Sequence, residues 1–310
     1  MTYSQSFATL VEDKNSGEIP RRSVDQGLST SPKSTTVDLL YVHYKHNIQE
    51  SQLAYFDNPL RNKGVALLLN QVTNLRGEDI MLNSAKVNEI MKTLGADLCG
   101  IASIDRFDSA PEGYHPRNVF PACKSVISFG CRFPVGTLAC NSHTPYTQVR
   151  NTITPKMDMI ALNFCIEMEK YGIMCVPIPT NNSEWDAKTN RWRSIVSQKH
   201  AAQAAGLGTI GRHSLLITPE FGSMIWLGAV LCSEELEPDE LKEPICNHCN
   251  LCVEACPIHA LDYEEINQQA CWDYAFGDDE ETNTWRIACH KCRDICPYNL
   301  GSENGFMSLK

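Results

Sequence analysis

The chain has 310 residues, 43% of them hydrophobic, enough for one large domain or two ordinary ones around a sizeable core. A net charge of −10 argues against a broad nucleic-acid footprint and against an anionic membrane surface, and leaves room for a small local basic groove. Fifteen cysteines without a secretion signal fit a reducing cytoplasm rather than a disulfide scaffold.

Residues 1–36 are polar and rich in Ser and Thr, which reads as a leader. Arg21-Arg22 is followed by no apolar run, so a twin-arginine export signal is rejected. No stretch is apolar for long enough to span a bilayer, so no membrane association is expected. Residues 37–80 carry two short apolar runs, VDLLYVHY and VALLLNQV, with no functional reading. From Asn83 the chain becomes periodic. Val87, Ile90, Met91 and Leu94 predict a helix face that Gly95 ends. DLCGIASI (97–104) and SVISFG (125–130) read as strands around a proline-rich loop. A helix is expected from Pro155 to Tyr171, then the strand IMCVPIP, then a polar loop TNNSEWDAKTNRWRS. This alternation indicates an α/β layer fold, with parallel or mixed pairing left open.

The next stretch is HAAQAAGLGTIGRHSLLITPEFGSMIWLGAVLC. A short helix (200–205) runs into Gly206, Gly208 and Gly211, and two strands joined by PEFG follow. A helix precedes these glycines and a strand follows them. That is the reverse of a dinucleotide fingerprint. Either a tight structural turn or a backbone cradle for a bulky ligand fits the glycines. The acidic SEELEPDELKEP (233–244) reads as a linker.

The strongest signal is CNHCNLCVEACP, then Cys271, then CHKCRDICP. Cys246, Cys249, Cys252 and Cys256 follow C-x2-C-x2-C-x3-C-P, the bacterial ferredoxin run in which the fourth cysteine ligates the other cluster. Cys289, Cys292 and Cys296 repeat its second half. Cys246, Cys249, Cys252 and Cys296 are therefore expected to hold one [4Fe–4S] cube, and Cys256, Cys271, Cys289 and Cys292 the other. Structural zinc favours paired knuckles instead. The other seven cysteines match no metal spacing and read mostly as free core thiols.

The glycine segment, the acidic link and the double-cluster module together resemble the epoxyqueuosine reductase family, itself similar to the cores of corrinoid reductive dehalogenases. The resemblance covers roughly residues 81–300. It implies an α/β, nitroreductase-like cobalamin-binding domain (81–240) followed by a bacterial ferredoxin-like double [4Fe–4S] domain (241–310), after an N-terminal extension (1–80). It also implies a base-off cobalamin lined by Gly206, Gly208, Gly211, Ser214, Leu215 and Gly222, with electrons relayed to it through two clusters from a ferredoxin or flavodoxin. Three departures speak against tRNA as the partner, without excluding it. The family's catalytic Asp position falls near Trp192, in a segment without a carboxylate; a C-terminal helical-repeat domain is missing; and the chain is acidic.

A reductase that breaks a C–O or C–halogen bond needs a proton donor. His200 and Tyr146 are the candidates, with His143 and Arg150 beside Tyr146, and Glu184 and Asp186 as possible replacements for the missing Asp. The plainer readings, a packed or solvated helix histidine and an ordinary surface loop, stay open. The expected function is a cytoplasmic cobalamin-dependent iron–sulfur reductase acting on a small or modified-base substrate. The alternative is an electron-transfer or corrinoid-activating partner with no substrate of its own.

Overall fold

The computed structural model describes residues 82–302 other than 182, 190, 263–264 and 279–284. The readings of the leader and of the rest of the extension (1–80) lie outside them. All described residues fall in one compact unit.

Helix α1 (Ser84–Thr93) starts where the Asn83 side chain accepts the Lys86 N–H at 2.9 Å. Val87 and Met91, four residues apart, are its buried pair. Strand β1 (Leu98–Ser103) leads into a 3₁₀ turn (Ile104–Phe107) and the short α2 (Pro116–Val119). After β2 (Ser125–Arg132) comes α3, which runs from Thr144 to Glu169. The helix thus begins 11 residues before the expected Pro155 start. Pro145 already occupies the first turn, where its missing N–H costs nothing. Pro155 sits on the exposed side of the helix interior, where packing of the opposite face outweighs one lost backbone bond.

Strand β3 (Cys175–Ile178) follows as expected. The stretch read as a polar loop is a hairpin, β4 (Ser183–Asp186) with β5 (Arg191–Ser194). Trp185 opposes Trp192 across it, a cross-strand aromatic pair. Then come α4 (Gln198–Ala204), two-residue strands β6 (Thr209–Ile210) and β7 (Leu216–Ile217), and β8 (Ile225–Cys232). The cysteine region adds α5 (Leu251–Glu254), α6 (Gln268–Ala275), β9 (Phe276–Asp278), β10 (Trp285–Ile287) and α7 (Lys291–Asp294).

The main sheet has the order β1-β2-β8-β3, and all three pairings are antiparallel. Neither parallel nor mixed pairing occurs in it. The side chains of β2 and β8 alternate between two buried layers. Ile127, Phe129 and Val230 pack with Met157, Ile160 and Phe164 of α3. Val126, Ala229 and Leu231 pack with Ala201 of α4 and with Ala205. With a helix on each face, the α/β layering holds. Gly100 permits the second layer to close, because a Cβ there would lie 2.2 Å from the Ala205 carbonyl oxygen.

The acidic segment after β8 is strapped to the sheet. Asp239 N–H donates to Ile101 O, and the Asp239 carboxylate accepts Ile101 N–H at 2.8 Å. Arg106 Nη1 donates to Asp239 O and Ala204 O at 2.8 and 2.6 Å, and Leu236 is buried. The strap occupies open backbone groups on β1, an edge strand.

Candidate metal centre

Cys246, Cys249, Cys252 and Cys296 line one hollow, together with Arg212, His213, Asn247, Asn250, Pro297 and Tyr298. Cys252 and Cys296 are 6% and 8% exposed. Burial pushes the Cys296 thiol up to about 11. The Tyr298 backbone N–H works against the shift, and the neighbouring Cys246, Cys252 and Cys249 add to it. The Cys252 thiol is raised by burial, then by Cys246 and Cys249.

The remaining motif thiols are shifted in the same direction. Burial, then Cys289 and Cys256, push the Cys271 thiol up to about 11. Cys292 reaches about 12 through burial, offset in part by Arg293 and reinforced by Cys271, Cys289 and Cys252. Burial is the largest cause in each case, and ligation to a cation would offset it by favouring the thiolate.

Local backbone geometry favours the same conclusion. His248 (φ 55°) and Asn250 (φ 62°) take left-handed conformations inside CNHCNLC. Alternating handedness turns successive N–H groups inward, the nest geometry found around Fe–S sites. Arg212 N–H points at Cys246 Sγ, 3.5 Å away. Among the described residues no three His, Cys, Asp or Glu side chains converge on a single-ion site. A cube, with a thiolate at each of four separated corners, calls for wider spacing. The four thiols around the hollow therefore fit an iron–sulfur cube.

The glycine segment builds part of the wall of this hollow. Its glycines sit at chain crossings. A Cβ on Gly206 would meet Glu240 O at 2.2 Å, and one on Gly208 would meet Ile217 O at 2.1 Å. On Gly211 it would meet Ile217 Cδ1 at 2.7 Å, and on Gly222 it would meet Tyr298 O at 2.1 Å. Ser214 (φ 64°) is held by Lys199, whose Nζ donates to its hydroxyl and carbonyl oxygens at 2.5 and 3.1 Å. The N–H of Leu215 donates to His213 Nδ1 at 3.2 Å. Close contact with the chain itself thus explains these six positions. Gly206 also lines a second hollow, with Ala205, Leu207, Asp239 and Glu240.

The two candidate donors lie apart, with no described contact between them. His200 is exposed on α4, its Nδ1 bonded to the Ser197 hydroxyl at 2.7 Å. Tyr146 is only 4% exposed. Its ring stacks on His290 with centroids 4.4 Å apart, and burial raises its pKa while Arg293 opposes the shift. His290 in turn bonds the Asp294 carboxylate at 2.8 Å. Tyr146 is therefore packed against the second cysteine segment rather than presented to an open cavity. Asp186 pairs with Arg193 at 3.2 Å within the hairpin. Glu184 lies on the same strand, opposite Arg193 in register.

Two features had little sequence signal. Trp185, Trp192, Trp272, Phe276 and Trp285 form a continuous row with centroid steps of 5.4, 4.4, 4.6 and 6.2 Å. Arg150 closes the row over Trp285. The row passes beside Cys271, the residue before Trp272. The second feature is His213, 3% exposed, with Nε2 buried and unpartnered. Its pKa is pushed down to about 4 by burial, then by Arg293 and Lys199. A lone histidine after a glycine turn carries no periodic signal.

No family model matches the chain. The epoxyqueuosine reductase of Prochlorococcus marinus (strain NATL2A) is 33% identical over 132 residues, 37% of this chain and 42% of that protein. That of Bacillus subtilis (strain 168) is 24% identical over 255 residues, 69% of this chain and 63% of that protein. The chain thus spans less than two thirds of these curated relatives. Among solved structures, a selenomethionine-labelled epoxyqueuosine reductase superposes with TM-score 0.53 at 21% identity, covering 72% of this chain and 67% of the other. An epoxyqueuosine reductase holding an epoxyqueuosine-modified tRNA-Tyr stem loop gives 0.51 at 23%, covering 70% and 65%. A reductive dehalogenase, described with B12-dependent dehalogenation, gives 0.50 at 17%, covering 75% and 36%. The chain is similar in sequence to epoxyqueuosine reductases, and its mixed α/β fold is similar to theirs and to that of the dehalogenase. The expectation against tRNA is corrected by the relative with a bound stem loop: an acidic net charge does not predict the local surface that meets the nucleic acid. Among the described residues no helix is long and apolar enough to cross a membrane.

Proposed function

We propose that this chain is an iron–sulfur oxidoreductase of the epoxyqueuosine reductase type, with a modified base on tRNA as its substrate class. The observation that carries the reading is the hollow shared by Cys246, Cys249, Cys252 and Cys296. Bound there, two [4Fe–4S] cubes would supply one-electron transfer at low potential. The protein's own part is to hold four thiolates per cube, shield them from water, and aim backbone N–H groups at the sulfurs. An external donor of the ferredoxin or flavodoxin class would face the cysteine segment, where Cys249 is exposed. The division into an α/β domain (81–240) and a cluster domain (241–310) belongs to the same proposal.

The hairpin β4–β5 offers a place for nucleic acid despite the overall charge. It carries Lys188, Arg191 and Arg193 around Trp185 and Trp192, cations interleaved with aromatic rings. Anaerobic incubation with epoxyqueuosine-bearing tRNA and a low-potential reductant, followed by nucleoside analysis, tests the reading. Formation of the deoxygenated nucleoside supports it, and cobalt is assayed in the same preparation. Intact cubes without turnover favour the second reading, an electron-transfer partner with no substrate of its own. The covered Tyr146 speaks for that alternative.

A further inference from the structure

We propose that His213 is a positioning residue of the first cube site, whose Nε2–H donates a hydrogen bond to a sulfur of the cluster held by Cys246, Cys249, Cys252 and Cys296. The inference rests on the iron–sulfur reading above and adds a residue that the cysteine motif does not contain. Three observations lead to it.

The first is the tautomer. His213 Nδ1 accepts the Leu215 N–H at 3.2 Å, so that nitrogen carries no proton. The proton of the neutral ring is then on Nε2. The second is the lack of a protein partner. Nε2 is buried with no hydrogen bond, in a side chain only 3% exposed. Buried donors are rarely left unpaired, because the desolvation cost is then uncompensated. The third is location. The ring lines the hollow that the four cysteines share. The adjoining backbone already directs one donor there, Arg212 N–H toward Cys246 Sγ. Gly211 helps set the pose, since a Cβ at that position would lie 3.1 Å from His213 Cε1.

Donation to a cluster sulfur stabilises the more negative, reduced cube over the oxidised one, so it raises the reduction potential. The effect should be confined to one cube, because His213 lines the hollow of the first quartet. Removing the donor while keeping the ring volume should lower that potential. Moving an amide N–H into the place of Nε2–H should restore it.

The test uses the full chain, purified anaerobically, as wild type, His213→Phe and His213→Gln. Redox titration followed by EPR should show one of two midpoint potentials falling in His213→Phe and recovering in His213→Gln, with the other unchanged. Pulsed EPR in deuterated buffer should show an exchangeable hydrogen coupled to the reduced cube in wild type and His213→Gln, and its loss in His213→Phe. Two cubes with unmoved potentials and an unchanged exchangeable coupling in His213→Phe would overturn this proposal alone. A wild-type chain that holds no cubes would overturn the iron–sulfur reading, and this one with it.

Discussion

Replacing Cys296 with alanine is expected to remove one cube and leave the other, halving iron and sulfide. The prediction has content because sequence distance suggests the wrong partner. Cys296 lies four residues after Cys292, yet it shares its hollow with Cys246, Cys249 and Cys252. The neighbours that raise its pKa are those same three thiols. Double replacements make the grouping explicit. Cys296→Ala with Cys246→Ala should cost no more iron than either change alone, since both strike one cube. Cys296→Ala with Cys271→Ala should abolish both. Additive loss in the first pair, or retention of one cube in the second, would contradict the division into quartets.

The second large effect is expected at Gly222. Its φ of +56° is left-handed, and a Cβ there would lie 2.1 Å from Tyr298 O and 2.4 Å from the Asn299 carbonyl carbon. Neither atom belongs to a flexible side chain, so relief requires a shift of the backbone. Strain and overpacking together put the cost of Gly222→Ala at about 2–5 kcal/mol. The melting temperature should fall by about 5–15 °C. Gly301 packs the other way, its missing Cβ 2.2 Å from Pro219 O, and Ser223 N–H donates to Asn299 O at 3.1 Å. The turn after β7 therefore clamps the segment that follows Cys296, and Gly222→Ala should also loosen the first cube. Gly136, with nothing within 4 Å of its absent Cβ, is the control, and Gly136→Ala should stay within about 0.5 kcal/mol. A Gly222→Ala chain as stable as wild type would refute the clamp.

These two positions also show where the sequence was readable. The cysteine ladder was legible because cube ligation fixes both residue type and spacing, and the crossover of Cys296 follows from the same chemistry. Gly222 is ambiguous in the sequence because a glycine is needed both where a cofactor approaches and where two chain segments cross. In the structure a Cβ there would meet the Tyr298 carbonyl oxygen. The direction of strand pairing was hidden for a different reason. Apolar runs such as SVISFG specify burial on both faces but not which neighbour lies alongside, and the sheet proved wholly antiparallel. The β4–β5 hairpin was missed because its polar residues mask a tryptophan pair that becomes apparent only once the strands are set in register.

The central claim is that eight cysteines hold two cubes, and Mössbauer spectroscopy on anaerobically prepared, iron-57-labelled protein tests it most directly. The account predicts about eight irons with matching sulfide per chain, in two [4Fe–4S] signatures. A chain whose iron stays below one cube after reconstitution, or whose eight thiols instead take up zinc in tetrahedral thiolate sites, would contradict it.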